Sequence, residues 1–439
     1  MSKIQLGLLS LLSVIMLGAI EPAKAAANDQ SLPTNTSLDS ALDRPVELTE
    51  AKVITDLYAQ SPPPPEEKKP EEKEEKKETN SFSSTTKLTG QVIFGFNSVL
   101  SGNSFTRTPI FGQRTRLELA TELGGGTLTT RLQSSGLGLV NDNASNTVNT
   151  PEGTASFADG TTDNAVGIDL LKYDLPLGKN TQLTLAANAA GADDFTDSIN
   201  PFLDGDGASG SISRFGGRPA IYYLVSGTGA GIRQKISPTL EGSIGYLTGT
   251  ANDPTAGITG GGYGAIAQLT YAPSENTKLG LTYVNAFTPE AATGETNSAF
   301  GIGSGNADNL AGNNNMFGVQ VSTKLNPKFA LGGWFGYNKN SLAGDTKDIV
   351  TWAVTAAFPD LGAPGNLGGL IIGQEPRVTA ATGAALTDTG SSLHLEGFYQ
   401  MKLSDSISVT PGLIYLTAPD QNSANGGALI GTIRTTFSF

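Results

Sequence analysis

From residue 87 onward the chain alternates between apolar and polar side chains in segments of about ten residues. In the first segment Leu88, Val92 and Phe94 share one parity, and Lys87 and Gln91 share the other. A β-strand places the two parities on opposite faces. Repeated amphipathic segments that are also rich in glycine are typical of a membrane-spanning β-barrel. A soluble β-sandwich shows a similar alternation and is the alternative.

The connections between the segments decide between these two folds. Short polar turns recur, for example at 236–239 and 325–328, and they alternate with long connections rich in Gly, Asn and Asp. Outer-membrane barrels have this arrangement, with tight periplasmic turns and long extracellular loops. The long connections are 139–163, 191–226, 288–314 and 375–390.

The alternating segments number sixteen, an even number that leaves both chain ends on the periplasmic side. We therefore predict an all-β fold, a transmembrane antiparallel β-barrel of about 16 strands over residues 81–439. Residues 218–226 could add a further strand, so eighteen strands are the alternative. A barrel of this size encloses an aqueous channel. The predicted strands are 87–98, 112–123, 127–138, 164–175, 180–190, 227–236, 239–249, 261–272, 277–287, 315–325, 328–339, 348–358, 366–374, 391–403, 406–418 and 428–439.

The last segment, GTIRTTFSF, places Phe437 and Phe439 on its apolar face and Arg434 on its polar face. An amphipathic last strand can pair with the first strand, which removes both edges of the sheet. A terminal phenylalanine with an aromatic residue two positions earlier also resembles the signal by which outer-membrane barrels are recognised for insertion. We therefore predict that Phe437 and Phe439 form a C-terminal insertion signal for the barrel-assembly machinery.

The first residues predict export. Lys3 precedes an almost continuous apolar run over residues 4–20, and Ala23-Lys24-Ala25 provides a small-x-small cleavage site. A membrane-anchoring helix is the alternative, because a run of this length is borderline for spanning. The cleavage site favours a signal peptide over residues 1–25 and a mature chain that begins near Ala26.

Residues 26–80 predict a disordered segment. Residues 46–60 could form a short amphipathic helix, but residues 61–80 consist of a proline run and a Glu/Lys block that cannot bury a core. Fully extended, these last residues would span roughly 60 Å. The segment is either a periplasmic spacer or an inert linker, and contact with peptidoglycan through residues 26–80 is a further hypothesis.

The composition excludes several functions. The sequence has no cysteine, which excludes disulfide frameworks and thiol catalysis. A formal net charge of −13 argues against nucleic acid as a partner, because nucleic-acid binding needs a basic surface. The single histidine, His394, shares a strand face with Glu396, but the sequence singles out no nucleophilic serine beside it. We predict that the protein is not an enzyme and has no cofactor or metal.

Cations collect on the polar parity of several predicted strands. Arginines on one wall that face carboxylates across a constriction create a transverse field, which sorts solutes by charge. Structural pairing with wall carboxylates such as Glu118 is the alternative. The predicted pore-lining and selectivity residues are Arg114, Arg116, Arg131, Arg233, Lys235 and Arg434.

The connection 191–226 is the longest of the chain and follows the fifth predicted strand. Long loops without secondary structure are usually functional or disordered. A calcium loop at residues 204–207 is disfavoured, because the remaining ligand positions are missing. The predicted constriction residues are Asp193, Asp194, Asp197, Asp204, Asp206, Arg214 and Arg218.

Three stretches, 111–137, 220–232 and 324–338, resemble a known family. They are similar to the cyanobacterial outer-membrane porins that are often labelled iron-uptake porins and are related to carbohydrate-selective porins. The resemblance covers most of residues 85–439 and implies a passive channel. It also implies that the third loop, 191–226, folds inward to form the constriction, as it commonly does in porins. It does not extend to the N-terminal surface-layer-homology domain and coiled coil that family members usually carry.

These features predict an outer-membrane porin with a water-filled channel for passive diffusion of small hydrophilic solutes and ions, with inorganic iron and sugars among the candidates. A structural protein that links the outer membrane to the cell wall is the main alternative, and a barrel hydrolase is a weaker one. The outer face would contact outer-membrane lipid. Porins of this size are often trimers, so a homotrimer is one candidate assembly.

Deleting residues 62–78 should leave the single-channel conductance unchanged, because a Pro/Glu/Lys segment contributes no strand to the barrel wall. Planar-bilayer recordings of the full-length and shortened proteins measure this. A large fall in conductance would place the segment in the lumen, contrary to the prediction.

Overall fold

The computed structural model describes residues 83–141, 145–160, 163–288, 311–383 and 389–439. The signal peptide and the N-terminal segment predicted over residues 1–80 lie outside the described residues. Within the described ranges, no helix has the length and apolar character needed to cross a membrane.

Sixteen antiparallel strands close into one barrel, so the predicted fold is confirmed. Each strand pairs with its neighbours along the chain, and the last strand pairs with the first. Residues 220–224, inside the stretch weighed as an additional strand, form a 3-10 helix instead. The barrel strands are β1 (Thr86–Ser101), β2 (Ile110–Leu123), β3 (Gly126–Ser135), β4 (Val166–Pro176), β5 (Thr181–Gly191), β8 (Ser226–Ser237), β9 (Leu240–Thr248), β10 (Tyr263–Ser274), β11 (Thr277–Thr288), β12 (Gly312–Asn326), β13 (Phe329–Leu342), β14 (Asp345–Pro359), β15 (Leu367–Thr382), β16 (His394–Lys402), β17 (Ile407–Leu416) and β18 (Ala428–Ser438).

The described parts of the connections contain two further strands and four short helices. Strands β6 (Asp204–Gly205) and β7 (Ser209–Gly210) pair as a small hairpin within the loop that joins β5 to β8. The α-helix α1 (Arg214–Gly217) follows this hairpin. The 3-10 helices are Ala192–Asp194, Ala220–Leu224 and Pro419–Gln421.

The outer face of the barrel is apolar. The register pairs Leu88 with Leu119 and Leu117 with Leu132. The apolar side chains of adjacent strands therefore lie side by side on the same face of the sheet. Large side chains such as Ile244 remain more than half exposed on this face. An arginine there would cost about 2–4 kcal/mol near the bilayer midplane, which explains why the charged parity faces inward.

The seam between β1 and β18 extends to the last residue. Gly90 donates its amide to the carbonyl of Phe439 at 2.7 Å, and Phe439 donates back at 3.0 Å. The ring of Phe437 packs edge-on against the ring of Phe94, with centroids 5.4 Å apart. A Cβ atom at Gly90 would lie only 2.2 Å from the ring of Phe439. A side chain at position 90 would therefore force the ring of Phe439 to move from its place at the seam.

The loop between β5 and β8, residues 192–225, lies inside the barrel and is called the third loop. Its apolar side chains, among them Phe195, Ile212 and Phe215, belong to buried clusters with wall residues from β4 through β18. The wall is shaped for this contact, because a Cβ atom at Gly231 or Gly245 would lie 2.2–2.3 Å from the ring of Phe195. The third loop is thus part of the barrel interior.

The loop between β3 and β4, called the second loop, also enters the barrel. Ala155 forms a bridge with Ser213 of the third loop, and Ser156 donates its amide to the Ile212 carbonyl at 2.9 Å. Phe157 is buried in a cluster with Ile93 of the wall. The two loops therefore support each other inside the lumen.

Replacing Gly90 with valine should lower the amount of folded protein in the outer membrane, because the new side chain overlaps the ring of Phe439 and disturbs the closing seam. Heat-modifiable mobility on gels of outer-membrane fractions measures the folded fraction. Gly167→Val is the matched control, because Gly167 also lies in a strand and its Cβ position is open. Equal folded amounts in the two variants would contradict the seam requirement.

Candidate channel constriction

The third loop has two different faces. Its apolar face packs on the wall from β4 to β18, whereas two of its carboxylates, those of Asp206 and Asp194, face the cations of β2, β3 and β4. Asp206 pairs with Arg116, and Lys172 Nζ lies 3.3 Å from Asp194 Oδ1. Opposite charges therefore line the two sides of the space between the loop and this part of the wall.

Two arginines and two aspartates form the centre of this space. The guanidinium of Arg116 binds the carboxylate of Asp206, and Arg131 Nε binds Asp169 Oδ2 at 2.5 Å. Each arginine also lies near the other aspartate, at a longer distance. Arg116 Nε lies 3.5 Å from Asp169 Oδ2, and Arg131 Nη1 lies 3.8 Å from Asp206 Oδ2. Gln133 Oε1 accepts a hydrogen bond from Arg116 Nε at 2.6 Å.

The charge of Asp206 is maintained by its neighbours. Burial alone would raise the pKa of Asp206, but the guanidiniums of Arg116 and Arg114 outweigh this effect and hold the pKa below its usual range. The Asp206 side chain nevertheless keeps 53% of its surface exposed. Asp206 is therefore an ionised group at the edge of open space.

Arg434 was predicted to line the pore, and the structure places it beneath the β6–β7 hairpin instead. It is completely buried, and its Nη1 donates to the carbonyls of Gly207 and Ser211, both at 2.9 Å. Its Nη2 donates to the carbonyl of Gly210 at 2.8 Å. The Arg434 side chain lies on the inward face of β18, as predicted from its parity. Because the third loop covers this position, Arg434 binds the hairpin and does not line open space.

Arg114 has a similar position and is 5% exposed. Its Nη2 donates to the Asp206 carbonyl at 2.7 Å and to Gln91 Oε1 at 3.1 Å. It borders a small cavity of about 100 Å³ that Arg214 also lines. The guanidinium of Arg214 lies over the ring of Tyr223, 5.8 Å from its centroid.

Arg218 holds together two acidic parts of the third loop. Its Nε and Nη2 bind the two carboxylate oxygens of Asp204 at 2.9 and 3.0 Å, and its Nη1 lies 2.8 Å from Asp193 Oδ1. Ser198 Oγ also donates to Asp204 Oδ2 at 2.5 Å. Because Asp204 and Asp206 bind different arginines, the residues 204–207 weighed as a calcium loop act here as two separate ion-pairing positions.

The remaining predicted residues are Asp197 of the third loop and Arg233 and Lys235 of the adjoining strand β8. Arg233 Nη2 binds Asp197 Oδ1 at 2.8 Å, and its Nε donates to the Phe195 carbonyl at 3.0 Å. Lys235 is exposed beside the β8–β9 turn and, with Asp197 and Glu241, lines a cavity of about 340 Å³. These residues are separate from the Arg116–Asp206 contact.

Two larger cavities adjoin the hairpin. One of about 500 Å³ is lined by both Arg116 and Arg131, and one of about 300 Å³ contains Gln400 and Lys402. Hydroxyl, amide and charged groups contribute to both linings and predominate in the smaller of the two cavities. The other polar residues that line them are Thr89, Gln91, Glu118, Asp206, Ser209, Ser404, Asp405, Ser406, Ser408, Thr436 and Ser438.

The sequence did not indicate a buried cluster in which His394 joins both loops to the wall. His394 Nδ1 lies 2.7 Å from Glu375 Oε1, and its Nε2 lies 3.3 Å from Glu396 Oε2 and 3.4 Å from Ser213 Oγ. Glu375 Oε1 also accepts the amide of Gly153 at 2.8 Å. Ser213 comes from the third loop, far along the chain, and no local pattern could have revealed this neighbour.

The histidine lies between a serine and a carboxylate, as in a serine-hydrolase triad: His394 contacts Ser213 on one side and Glu375 on the other. The serine hydroxyl, however, has other hydrogen-bond partners. It donates to Glu396 Oε2 and accepts the amide of Gly216 at 2.9 Å, which caps helix α1. Glu396 Oε1 further accepts the amide of Ile212 at 2.8 Å. The cluster therefore holds the third loop in place.

Glu152 of the second loop lies at the edge of this cluster. Gln421 Nε2 and the amide of Asp420 donate to its carboxylate at 2.8 and 2.5 Å. Burial, together with the nearby carboxylate of Glu375, raises the pKa of Glu152 from 4.5 to about 8. The second loop is thus held through a carboxyl group that keeps its proton at neutral pH.

We expect the packing near this cluster to depend on pH. The pKa of Glu152 is higher in the folded protein than in the unfolded chain, so protonation of this group stabilises the folded state. Its contribution to the free energy of unfolding is largest below pH 4.5 and is lost as the pH rises through about 8. The indole of Trp334 can report the change, because Phe215 lies 5.6 Å from Trp334 and 4.9 Å from His394 between ring centroids.

A Trp352→Phe background leaves Trp334 as the sole tryptophan. Its emission should shift as the pH rises through about 8, and Glu152→Gln should remove this step. Asp253→Asn, which changes an exposed aspartate on the β9–β10 connection, is the control and should keep the step. A pH step that persists in Glu152→Gln would assign the titration to another group.

Comparison with known proteins places the barrel in a family. Residues 76–439 match the family described as carbohydrate-selective porin, OprB family. An uncharacterized protein of Nostoc sp. is 32% identical over 391 residues, which cover 82% of this chain and 66% of that protein. An uncharacterized protein of Synechocystis sp. is 33% identical over 393 residues, which cover 82% and 70%. The chain thus spans about two thirds of the length of these relatives.

Two solved structures share the fold. The high-pH structure of Pseudomonas putida OprB has a TM-score of 0.60 at 10% identity, covering 81% of this chain and 94% of that chain. Salmonella typhi OmpF in complex with daunomycin has a TM-score of 0.52 at 12% identity, covering 81% and 97%. The predicted relationship to outer-membrane porins is confirmed. The chain belongs to the OprB family of carbohydrate-selective porins.

Proposed function

We propose that the protein is a passive channel for small hydrophilic solutes and ions, and that its constriction is the space between the third loop and the wall of β2 to β4. The observation that carries this proposal is the two-faced third loop. Its apolar face is fixed on the wall, and Asp206 and Asp194 lie opposite Arg116 and Lys172. The narrowest part of the lumen is thereby lined by charges of both signs.

This arrangement favours sorting by charge. Carboxylates on the loop and guanidiniums on the wall orient water across the path, so a solute must interact with fixed charges as it passes. Arg116 and Arg131 are the wall groups that border the larger cavity, whereas Arg114 and Arg434 are buried by the hairpin. Of the four arginines on β2, β3 and β18, we therefore assign the selectivity role to Arg116 and Arg131.

Uncharged solutes could follow the same path. Gln91, Glu118 and Gln400 line the cavities beside the hairpin and offer donors and acceptors for hydroxyl groups. This chemistry supports passage of sugars, the solutes named in the family description, as well as inorganic ions.

Changing Arg116 and Arg131 together to glutamine should shift permeability toward cations, because Asp206 and Asp169 lose their partners. A unit charge at about 7 Å in water contributes about 0.6 kcal/mol. Loss of one arginine therefore changes the partition of each ion about threefold, in opposite directions for anion and cation, so the anion-to-cation permeability ratio should fall about eightfold per arginine. Reversal potentials under a salt gradient, at ionic strength below about 0.1 M to limit screening, measure the ratio.

Arg107→Gln is the matched control for this experiment, since Arg107 is an exposed arginine between β1 and β2. It should leave the ratio close to that of the wild type. If the double variant behaves like the control, Arg116 and Arg131 act only as structural partners of wall carboxylates.

A further inference from the structure

We propose that Arg116 and Arg131 form a binding seat for a small inorganic oxyanion such as phosphate, and that Asp206 occupies this seat until the ion displaces its side chain. This inference rests on the proposed channel function and names one class of solute for it. It adds a competition within the channel between a carboxylate of the chain and a permeating anion.

The two guanidiniums are oriented for this role by groups behind them. Asp169 Oδ2 binds Arg131 Nε at 2.5 Å, and Gln133 Oε1 accepts from Arg116 Nε at 2.6 Å. Because both Nε atoms are engaged, the terminal nitrogens are the donors left for a ligand. The planar fork of an arginine side chain matches the oxygens of a carboxylate or a phosphate.

Asp206 uses only part of this seat. Its carboxylate makes a close contact with Arg116, but its Oδ2 lies 3.8 Å from Arg131 Nη1, beyond hydrogen-bond distance. A tetrahedral oxyanion carries more acceptor oxygens and can contact both arginines at once. It would therefore satisfy donors that the aspartate leaves unused.

The seat opens onto space that can hold an ion. Arg116, Arg131 and Asp206 all line the cavity of about 500 Å³ next to the hairpin. Liquid water occupies about 30 Å³ per molecule, so this cavity has room for an oxyanion together with several waters. The competing ion would approach from the hydrated side, where the Asp206 side chain is 53% exposed.

Only the side chain of Asp206 needs to move. The hairpin backbone is fixed by hydrogen bonds to wall residues: Arg114 donates to the Asp206 carbonyl, and Arg434 donates to Gly207 and Gly210. Thr436 Oγ1 donates to the Ala208 carbonyl at 2.7 Å. A rotation of the Asp206 side chain would free the seat and leave the loop attached.

The backbone at Asp206 also determines which variants can test the idea. Its φ of +49° lies in the left-handed region, which glycine and asparagine adopt more readily than most residues. Asp206→Asn removes the charge and keeps the shape, and Asp206→Gly removes the side chain without backbone strain. Both variants should fold, and heat-modifiable mobility can confirm this.

The test uses the full-length protein in planar bilayers with KCl at low ionic strength, to which inorganic phosphate is added. The readout is the phosphate concentration that halves the chloride current. We expect this concentration to fall about tenfold in Asp206→Asn and Asp206→Gly, because the competing charged hydrogen bond is gone. Asp253→Asn, the same change at an exposed position outside the barrel lumen, should match the wild type.

A second variant ties the effect to the seat. Adding Arg131→Gln to Asp206→Asn should abolish the gain in phosphate sensitivity. The inference is overturned if Asp206→Asn and Asp206→Gly are no more sensitive to phosphate than the wild type, or if the gain in phosphate sensitivity persists without Arg131. In both cases the channel function is unaffected, provided that the wild-type protein conducts KCl. A wild-type protein that does not conduct KCl would overturn the channel function, and the inference with it.

Discussion

Burial of three third-loop side chains against the barrel wall determines where the charged groups of the constriction lie. Phe195, Ile212 and Phe215 are each no more than 1% exposed, and burial of such side chains contributes about 1.5–3 kcal/mol apiece. This contribution offsets part of the entropy lost when a long loop becomes ordered. Because the apolar face is fixed on one side of the lumen, the acidic face must lie opposite the wall of β2 to β4. The transverse arrangement of charge is therefore a consequence of hydrophobic packing.

Burial also separates the arginines into two roles. Arg434 is fully buried and binds three backbone carbonyls, which satisfies donors that would otherwise be costly to remove from water. Arg116 and Arg131 border open space and bind carboxylates that are themselves partly exposed. All three lie on inward-facing strand positions. Their difference comes from the path of the third loop, which covers one position and leaves the other two uncovered.

The sequence was sufficient for the barrel because strand signals are local. Alternation over neighbouring residues and the lengths of the turns predict sixteen strands, and a barrel leaves little freedom in how they pair. The loops inside the lumen show no such alternation of apolar and polar residues, so their path cannot be predicted from a local pattern. Arg434 is an example. The alternation correctly predicts that its side chain points into the barrel, but it cannot predict that the loop backbone at Gly207 and Gly210 covers it. His394 and Ser213 are a second example, because 181 residues separate two side chains that lie in contact.

Attachment at several points limits how this channel can change its aperture. The third loop is tied at Ile199 to Gln320, at Ile212 to Glu396 and at the hairpin to Arg434. Moving the loop as a body would break these contacts together and expose buried polar groups, each at a cost of about 1–3 kcal/mol. Rotation of an exposed side chain such as Asp206 exchanges one charged partner for another. In the channel that we propose, the backbone of the third loop would therefore set the largest solute that can pass, and charged side chains that can still rotate would determine which ions pass within that limit.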